Sequence, residues 1–311
     1  MDYQLLLWAL LPDLVVVVGV FASLGLDYGW LRNRPVSRRN FIISNLASWS
    51  LFLGLVGMVF QVMSTSEFNF AAGQIVFSPM RYALKACIFA MAILVVQLSS
   101  REPVCGQVSE YYSLLLLAAL GMGFVMTSEN LLGAFVSLES VSLSLYALTA
   151  LWRRNRPSAE AALKYFTFGG VSSAFFLFGL SYIYGMTGSL EVRVIMSYFA
   201  STPVLPPLLL TGWLLMLVGL GFKIAVAPFH AWAPDVYQNA PTPAATWIAT
   251  GSKIAATMLL VTLLKPVIEA PEGSPLRIPL GVALSGLAVV AMIGGNLAAL
   301  HQTNLKRLLA Y

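Results

Sequence analysis

Nine apolar stretches, each close to 20 residues long, follow one another along the chain. A helix needs about 20 predominantly apolar residues to cross roughly 30 Å of hydrocarbon, and it satisfies its own backbone hydrogen bonds there without water. The stretches occupy residues 4–26, 41–63, 80–98, 112–128, 130–151, 161–185, 205–223, 243–264 and 279–300. The sequence therefore predicts an all-α fold, a polytopic bundle of transmembrane helices with the lipid bilayer as its surroundings.

The net charge of +5 follows from membrane topology and does not indicate a nucleic-acid partner. Only 10% of the residues are charged, against about 25% in an average soluble domain. Basic residues are more numerous on one side of the nine-span arrangement than on the other. The first side holds Arg32, Arg34, Arg38, Arg39, Arg101, Arg153, Arg154, Arg156, Lys306 and Arg307, and the second holds Arg81, Arg193, Lys265 and Arg277. The positive-inside rule then puts the N-terminus outside the cytoplasm.

The cysteines and glycines do not indicate a redox centre or a nucleotide site. Cys87 and Cys105 lack the spacing of metal ligands, and the sequence has no Cys-x-x-Cys pair. No glycine-rich phosphate-binding motif stands between a strand and a helix. We therefore predict no cofactor and no metal on this chain, so any redox chemistry takes place on another chain.

A lysine and a proline interrupt the apolar region that runs from Gly221 to Pro243, Gly-Phe-Lys-Ile-Ala-Val-Ala-Pro-Phe-His-Ala-Trp-Ala-Pro-Asp-Val-Tyr-Gln-Asn-Ala-Pro-Thr-Pro. A lysine at bilayer depth, such as Lys223, costs about 2.5–3.5 kcal/mol on insertion scales. Pro228 lacks a backbone N–H and clashes with the carbonyl of Ile224, so the seventh span should break just after the lysine. Such a break frees carbonyls beside a cation, as in the ion sites of transporters. The alternative is a snorkelling lysine next to an ordinary proline kink.

Glu139 lies near the middle of the fifth span, in a segment rich in serine. A lysine within about 4–6 Å would keep both groups charged and would make the protonation of each depend on the other. Such a pair is a switchable proton site, and the alternative is a structural ion pair that holds two helices together. The serines nearby are Ser137, Ser140, Ser142 and Ser144.

Lys253 lies at the midpoint of the eighth span, where small residues allow helices to approach closely. It is too deep to snorkel easily, so it needs a partner or water, and it is either a proton relay or a structural polar contact. Lys164 lies a few residues inside the sixth span and either takes part in proton transfer or snorkels. Lys85, early in the third span, is interpreted as an interfacial anchor.

Three more titratable residues lie at span ends or beside a proline. His230 follows the expected break, and His301 closes the ninth span. Both titrate in the range that a proton shuttle needs, although a histidine bonded to a helix-end carbonyl is the commoner finding. Asp13 follows Pro12 in the first span, where we expect it to cap a broken helix.

From about residue 80 onward the sequence resembles a known family, the antiporter-like membrane subunit N of respiratory complex I. The resemblance rests on Gly221–Pro243, on Ser137–Ser140, on Ala162–Tyr165 (Ala-Leu-Lys-Tyr), on Gly251–Ala255, and on the closing run Gly295–Tyr311. Within the first of these, Asp-Val-Tyr-Gln is closer to subunit N than to its L and M paralogues. The first 75 residues match mainly by hydropathy and by Leu-Pro-Asp at 11–13.

The resemblance implies a role for each lysine. Glu139 and Lys223 would be the coupled pair of the fifth helix and of a discontinuous seventh helix, with Lys164 modulating them. Lys253 would be the relay lysine of the eighth helix, and Lys306 the lysine that opens the tenth. His301 occupies a position that varies in the family.

The resemblance also implies the setting. The chain would be one proton channel of an NADH-quinone oxidoreductase in a bacterial cell (inner) membrane, among other membrane subunits of complex I. NADH, FMN, iron–sulfur clusters and quinone would lie on other subunits. Residues 1–111 would form N-terminal helices 1–3, 112–264 a first five-helix repeat, and 265–311 the start of a second, inverted repeat.

We draw two expectations about the ends of the chain. The first span is not a cleavable signal peptide, because residues 1–10 contain Asp2 and no basic residue, so the N-terminus is retained. Residues 304–311 begin another apolar helix and stop short of a membrane thickness, so the chain looks truncated, with half a proton path.

Two other functions compete with proton translocation by a complex I subunit. One is a cation/proton antiporter or membrane-bound hydrogenase subunit, because these share the ancestry of the family. The other is a non-pumping structural membrane module, which would apply if 311 were a natural end.

Overall fold

The computed structural model describes residues 3–64, 68–70, 75–101, 106–151, 156–201, 206–269 and 277–311, and most of them are helical. The elements are α1 (Tyr3–Tyr28), α2 (Val36–Ser64), β1 (Phe68–Phe70), β2 (Ile75–Phe77), α3 (Pro79–Arg101), α4 (Val108–Thr127), α5 (Leu131–Ala150), α6 (Arg156–Thr187), α7 (Val192–Ser201), α8 (Pro207–Ile224), α9 (Ala233–Asn239), α10 (Thr242–Ala249), α11 (Gly251–Ile268), α12 (Arg277–Leu300) and α13 (Leu305–Leu308).

Within these ranges, nine helical segments are long and apolar enough to cross a membrane. They are α1, α2, α3, α4, α5, α6, α8, α12 and the segment Thr242–Ile268, which combines α10 and α11. The predicted fold class, a transmembrane helix bundle with a discontinuous seventh span, is confirmed. α8 is that seventh span.

The bundle is built around α4, which is the most buried of the nine spans and packs against α1, α2, α3, α5 and α11. Glycine lets the neighbouring helices come close. A Cβ atom at Gly121 would lie 2.8 Å from Val141 Cγ2, and one at Gly179 would lie 2.5 Å from the carbonyl oxygen of Gly212. Small residues at such crossings are typical of helix pairs in membranes. They bring α5 against α4 and α6 against α8, which positions the site described below.

Local capping decides where several helices begin. The Asn130 side chain accepts hydrogen bonds from the backbone N–H groups of Leu132 and Gly133 at 3.0 and 3.2 Å, so α5 starts at Leu131, eight residues before Glu139. α8 begins at Pro207, where the missing N–H of proline removes no hydrogen bond.

Segments between the predicted spans contain short elements. Residues 64–79 contain an antiparallel hairpin of β1 and β2. Residues 187–204 contain α7, which buries Val192, Ile195 and Phe199 on one face. These elements are too short for a search that looks for 20-residue apolar runs. The eighth predicted span is divided into α10 and α11, which meet at Thr250.

Two predictions about α1 and α3 are wrong. α1 continues through Pro12, so Asp13 caps no break. Lys85 is not an interfacial anchor, because it is almost completely buried, at 1% exposure. Cys87 is an exposed free cysteine, whereas Cys105, Arg153 and Arg154 lie outside the described residues.

Candidate functional site

The break in α8 forms the centre of the candidate site. Ala225 has left-handed backbone angles, φ 60° and ψ 43°, and ends the helix directly after Ile224. The N–H of Val226 donates to the carbonyl of Gly221 at 2.9 Å, and the N–H of Ala225 donates to that of Phe222 at 3.0 Å. This is the Schellman arrangement, and it leaves the next two carbonyls of the helix without these backbone partners.

Lys253 binds at those two carbonyls. Its Nζ donates to the carbonyl oxygen of Ile224 at 2.9 Å and lies 3.4 Å from that of Lys223. The negative end of a helix dipole favours a cation at this position. The same ammonium lies 4.8 Å from the centre of the Trp232 ring, whose Nε1 donates to Phe222 at 3.0 Å. The partner that Lys253 requires is therefore the broken end of α8.

Lys223 and Glu139 form an ion pair across α8 and α5. Lys223 Nζ lies 2.9 Å from Glu139 Oε1, and it donates a hydrogen bond to Ser142 Oγ at 2.7 Å. Ser173 of α6 donates to the same Glu139 oxygen at 2.7 Å. The side chains of Lys223 and Glu139 are 10% and 24% exposed. Two serines thus hold the pair from either side.

Both lysines act at the same few residues of α8. Lys223 supplies the ion-pair side chain, and its own carbonyl is one of the acceptors that face Lys253. A small movement at the α8 end would therefore change the surroundings of both ammonium groups together. Chemically, the arrangement can hold a proton on either lysine, with a carboxylate on one side and helix carbonyls on the other.

Lys164 lies near the N-terminal end of α6, between two carboxylates. Its Nζ is 2.8 Å from Asp235 Oδ2 and 2.9 Å from Glu160 Oε1, and its side chain is 42% exposed. The Lys164 hydrogen bond acts against desolvation by burial and, together with the charges of Lys164 and Arg307, holds the pKa of Asp235 below its ordinary value. The predicted modulator therefore contacts Asp235 and Glu160.

The two histidines and Lys306 lie apart from the ion pair. His230 is half-buried, with its ring 5.5 Å from that of Tyr311. His301 is exposed, and its Nδ1 lies 2.9 Å from the carbonyl of Leu297, as in the commoner helix-end arrangement. Lys306 Nζ donates to Thr242 Oγ1 at 3.0 Å, which ties α13 to α10.

Sequence reasoning missed a second buried ion pair. Lys85 Nζ lies 2.6 Å from Asp13 Oδ2, and the two side chains are 1% and 3% exposed. The ammonium also lies within 5.3 Å and 5.4 Å of the ring centres of Tyr82 and Phe124. The signal was available, since an acid and a base that both lie in apolar spans need partners.

Glu129 was missed as well, although its three basic partners were identified as topology markers. Its Oε1 accepts hydrogen bonds from Arg81 Nη2 at 2.8 Å and from Lys265 Nζ at 2.9 Å, and Arg193 lies 3.7 Å from Oε2. Burial alone raises the pKa of Glu129, but these cations outweigh burial and hold the pKa below its ordinary value. The cluster and Lys253 line one cavity of about 1090 Å³.

Comparison with known proteins places the chain in a family. The sequence model of the NADH:quinone oxidoreductase/Mrp antiporter transmembrane family matches residues 128–311. The chain belongs to this family. The match covers α5, α6, α8 and α11, which carry Glu139, Lys164, Lys223 and Lys253.

Curated relatives in the family carry a consistent name. The chain is 37% identical over 324 residues to NADH-quinone oxidoreductase subunit N 2 of Acidobacterium capsulatum, covering 100% of this chain and 64% of that protein. It is 46% identical over 202 residues to NADH-quinone oxidoreductase subunit N of Halorhodospira halophila, covering 65% and 40%. These matches confirm the resemblance to subunit N. The chain spans about 40 to 64% of the length of these relatives.

Solved structures agree with the relatives. A chain of respiratory complex I from Thermus thermophilus with bound aureothin aligns with a TM-score of 0.74 at 36% identity, covering 96% of this chain and 61% of that one. A chain of an archaeal membrane-bound sulfane sulfur reductase aligns with a TM-score of 0.76 at 24% identity, covering 97% and 61%. The second likeness concerns the fold alone.

Proposed function

We propose that this chain is a proton-translocating membrane subunit of an NADH-quinone oxidoreductase, in which a buried Glu/Lys relay is coupled to quinone reduction elsewhere in the complex. The observation that carries the proposal is the Lys223–Glu139 pair, 2.9 Å apart at the broken end of α8. Family membership supports it, as does the name shared by the relatives.

The relay works by charge coupling between the two lysines that meet at the broken end of α8. While Glu139 is engaged with Lys223, the carboxylate favours the protonated lysine. When the pair separates, Lys223 loses that support and releases its proton toward a neutral Lys253, which becomes the ammonium held by the carbonyls of Lys223 and Ile224. The exposed cation Lys164 modulates the pair, and Lys306, His230 and His301 extend the relay.

The wider setting is part of the same proposal. The chain lies among other membrane subunits of complex I in a bacterial inner membrane, with its N-terminus on the non-cytoplasmic side. NADH, FMN, iron–sulfur clusters and quinone are held by other subunits. Residues 1–111 form the N-terminal helices, 112–264 a first antiporter-like repeat that includes most of α4 to α11, and 265–311 the start of a second repeat.

The test is proton pumping by the assembled complex in native membrane vesicles. Lys223→Ala is expected to abolish pumping while NADH oxidation falls much less, because the redox chemistry lies on other subunits. Unchanged protons per NADH in Lys223→Ala would refute the proposal. The matched control is the double variant Asp13→Asn with Lys85→Met, which removes a buried ion pair outside the relay and should leave pumping intact.

A second candidate is a cation/proton antiporter subunit, which the family description favours because it joins the oxidoreductases with Mrp antiporters. The two functions differ in their driving force. Sodium-dependent proton movement in vesicles without NADH, lost in Lys223→Ala, would select the antiporter. Proton movement that requires NADH and is indifferent to sodium would select the oxidoreductase subunit.

A further inference from the structure

Asp235 joins three separate elements of the bundle. Its Oδ2 accepts a hydrogen bond from Lys164 Nζ of α6 at 2.8 Å, and its Oδ1 accepts one from Arg307 Nη1 of α13 at 3.0 Å. Asp235 itself lies on α9, the first helix after the break in α8. One carboxylate with a 25% exposed side chain therefore holds two cations that lie 71 and 72 residues away in the sequence.

The other carboxylate near Lys164 has a different geometry. Glu160 lies one turn before Lys164 on the same helix, at 2.9 Å, and its side chain is 68% exposed. A pair within one helix cannot fix that helix against its neighbours, and exposed pairs of this kind contribute little to stability. Asp235, in contrast, fixes Lys164 relative to the segment that follows Lys223.

The second partner of Asp235 holds the carboxylate in place. Arg307 Nη1 also donates to Gln238 Oε1 at 3.2 Å, one turn further along α9. Asn239 Nδ2 donates to the backbone carbonyl of Asp235 at 2.9 Å. The low pKa of Asp235 keeps this carboxyl ionised at neutral pH, so the bridge persists under working conditions.

We infer that Asp235 is a positioning residue of the relay, which acts by holding the Lys164 ammonium against the segment that follows the broken helix. The inference rests on the proposed function. It also gives a physical role to the Asp-Val-Tyr-Gln run, which the sequence marked only as a point of resemblance. Asp235 does not exchange the transferred proton; it sets where the charge of Lys164 lies.

The experiment measures proton pumping and NADH oxidation by the assembled complex in native vesicles. Asp235→Asn keeps the shape and removes the charge, so it should lower the pumping rate roughly two- to fivefold, a modest loss that fits a partly exposed ion pair. Asp235→Glu, which keeps the charge, should restore most of that loss. The matched control is Glu160→Gln, which removes the other carboxylate beside Lys164 and should leave pumping unchanged.

A double variant separates positioning from a merely structural role. In a Lys164→Met background, Asp235→Asn should cause no further loss of pumping, since its effect passes through Lys164. An equal loss with and without Lys164 would overturn the inference, as would normal pumping in Asp235→Asn. Normal pumping in both Lys164→Met and Lys223→Ala would instead count against the proposed function itself. Each pumping rate is divided by the amount of complex in that membrane preparation, which is measured by immunoblot.

Discussion

Replacing Lys85 by Met removes the cationic half of an ion pair that is almost completely buried between α1 and α3. The two side chains are 1% and 3% exposed, and Nζ and Oδ2 are 2.6 Å apart. Asp13 Oδ1 has no hydrogen-bond partner among the described residues, so the carboxylate depends on Lys85. Breaking a buried pair from one side typically costs about 3–5 kcal/mol, because it leaves a charge without compensation.

The double variant should behave differently from the single one. Asp13→Asn added to Lys85→Met removes the leftover charge, and replacing both members of a buried pair is often close to neutral. We therefore expect Lys85→Met to lower the free energy of unfolding by about 3–5 kcal/mol and the double variant to recover all but about 1 kcal/mol of it.

The assay is denaturant unfolding of the purified subunit in detergent micelles, followed by near-ultraviolet circular dichroism, for wild type, both single variants and the double variant. The coupling free energy from this cycle measures the interaction of the two side chains. A double variant no more stable than Lys85→Met would refute the reasoning, because it would show that packing, and not the uncompensated charge, determines the loss.

Two further predictions concern the backbone at the break and the cluster at Glu129. Ala225→Gly should raise the free energy of unfolding by about 0.5–1 kcal/mol in the same assay, since a left-handed conformation is strained for alanine and not for glycine; a loss of stability would contradict this. Glu129 has a folded-state pKa below its ordinary 4.5, so its contribution to stability is present above that pH and is lost as the pH falls through the lower, folded-state pKa. Melting temperatures measured from pH 7 to pH 3 should therefore fall more steeply in wild type than in Glu129→Gln. Parallel curves for the two proteins would show that the titration of Glu129 does not contribute to stability.

The sequence predicted the helical fold because spanning a bilayer imposes a length and an apolar composition that can be read from one stretch at a time. It predicted the break after Lys223 for a similar reason, since Pro228 acts on residues four positions earlier. The need of Glu139 for a lysine partner followed from the same local reasoning about charge in an apolar span. Each of these inferences needs only local information.

The missed features depend on contacts between distant residues or on backbone geometry. Asp13 and Lys85 are 72 residues apart, and Lys265 lies 136 residues from Glu129. Local sequence shows that a charge in an apolar span needs a partner, but it does not show which distant residue that partner is. Lys253 was expected to need a partner, but its partners are carbonyls exposed by the left-handed turn at Ala225. The sequence predicted that the break would free carbonyls, but it did not predict that Lys253, from another span, would be the cation that binds them.

The anchoring of Lys253 on main-chain oxygens has a consequence for how this chain tolerates substitution. Both acceptors belong to the backbone of residues 223 and 224, so the side chain at Ile224 can change without removing a single acceptor. What must persist is the turn that follows, which any residue able to adopt positive φ can supply. The acceptors for Lys253 are therefore set by a backbone conformation and not by particular side chains. Substitutions at these positions should be tolerated more widely than at Glu139, because Glu139 binds Lys223 through its own carboxylate.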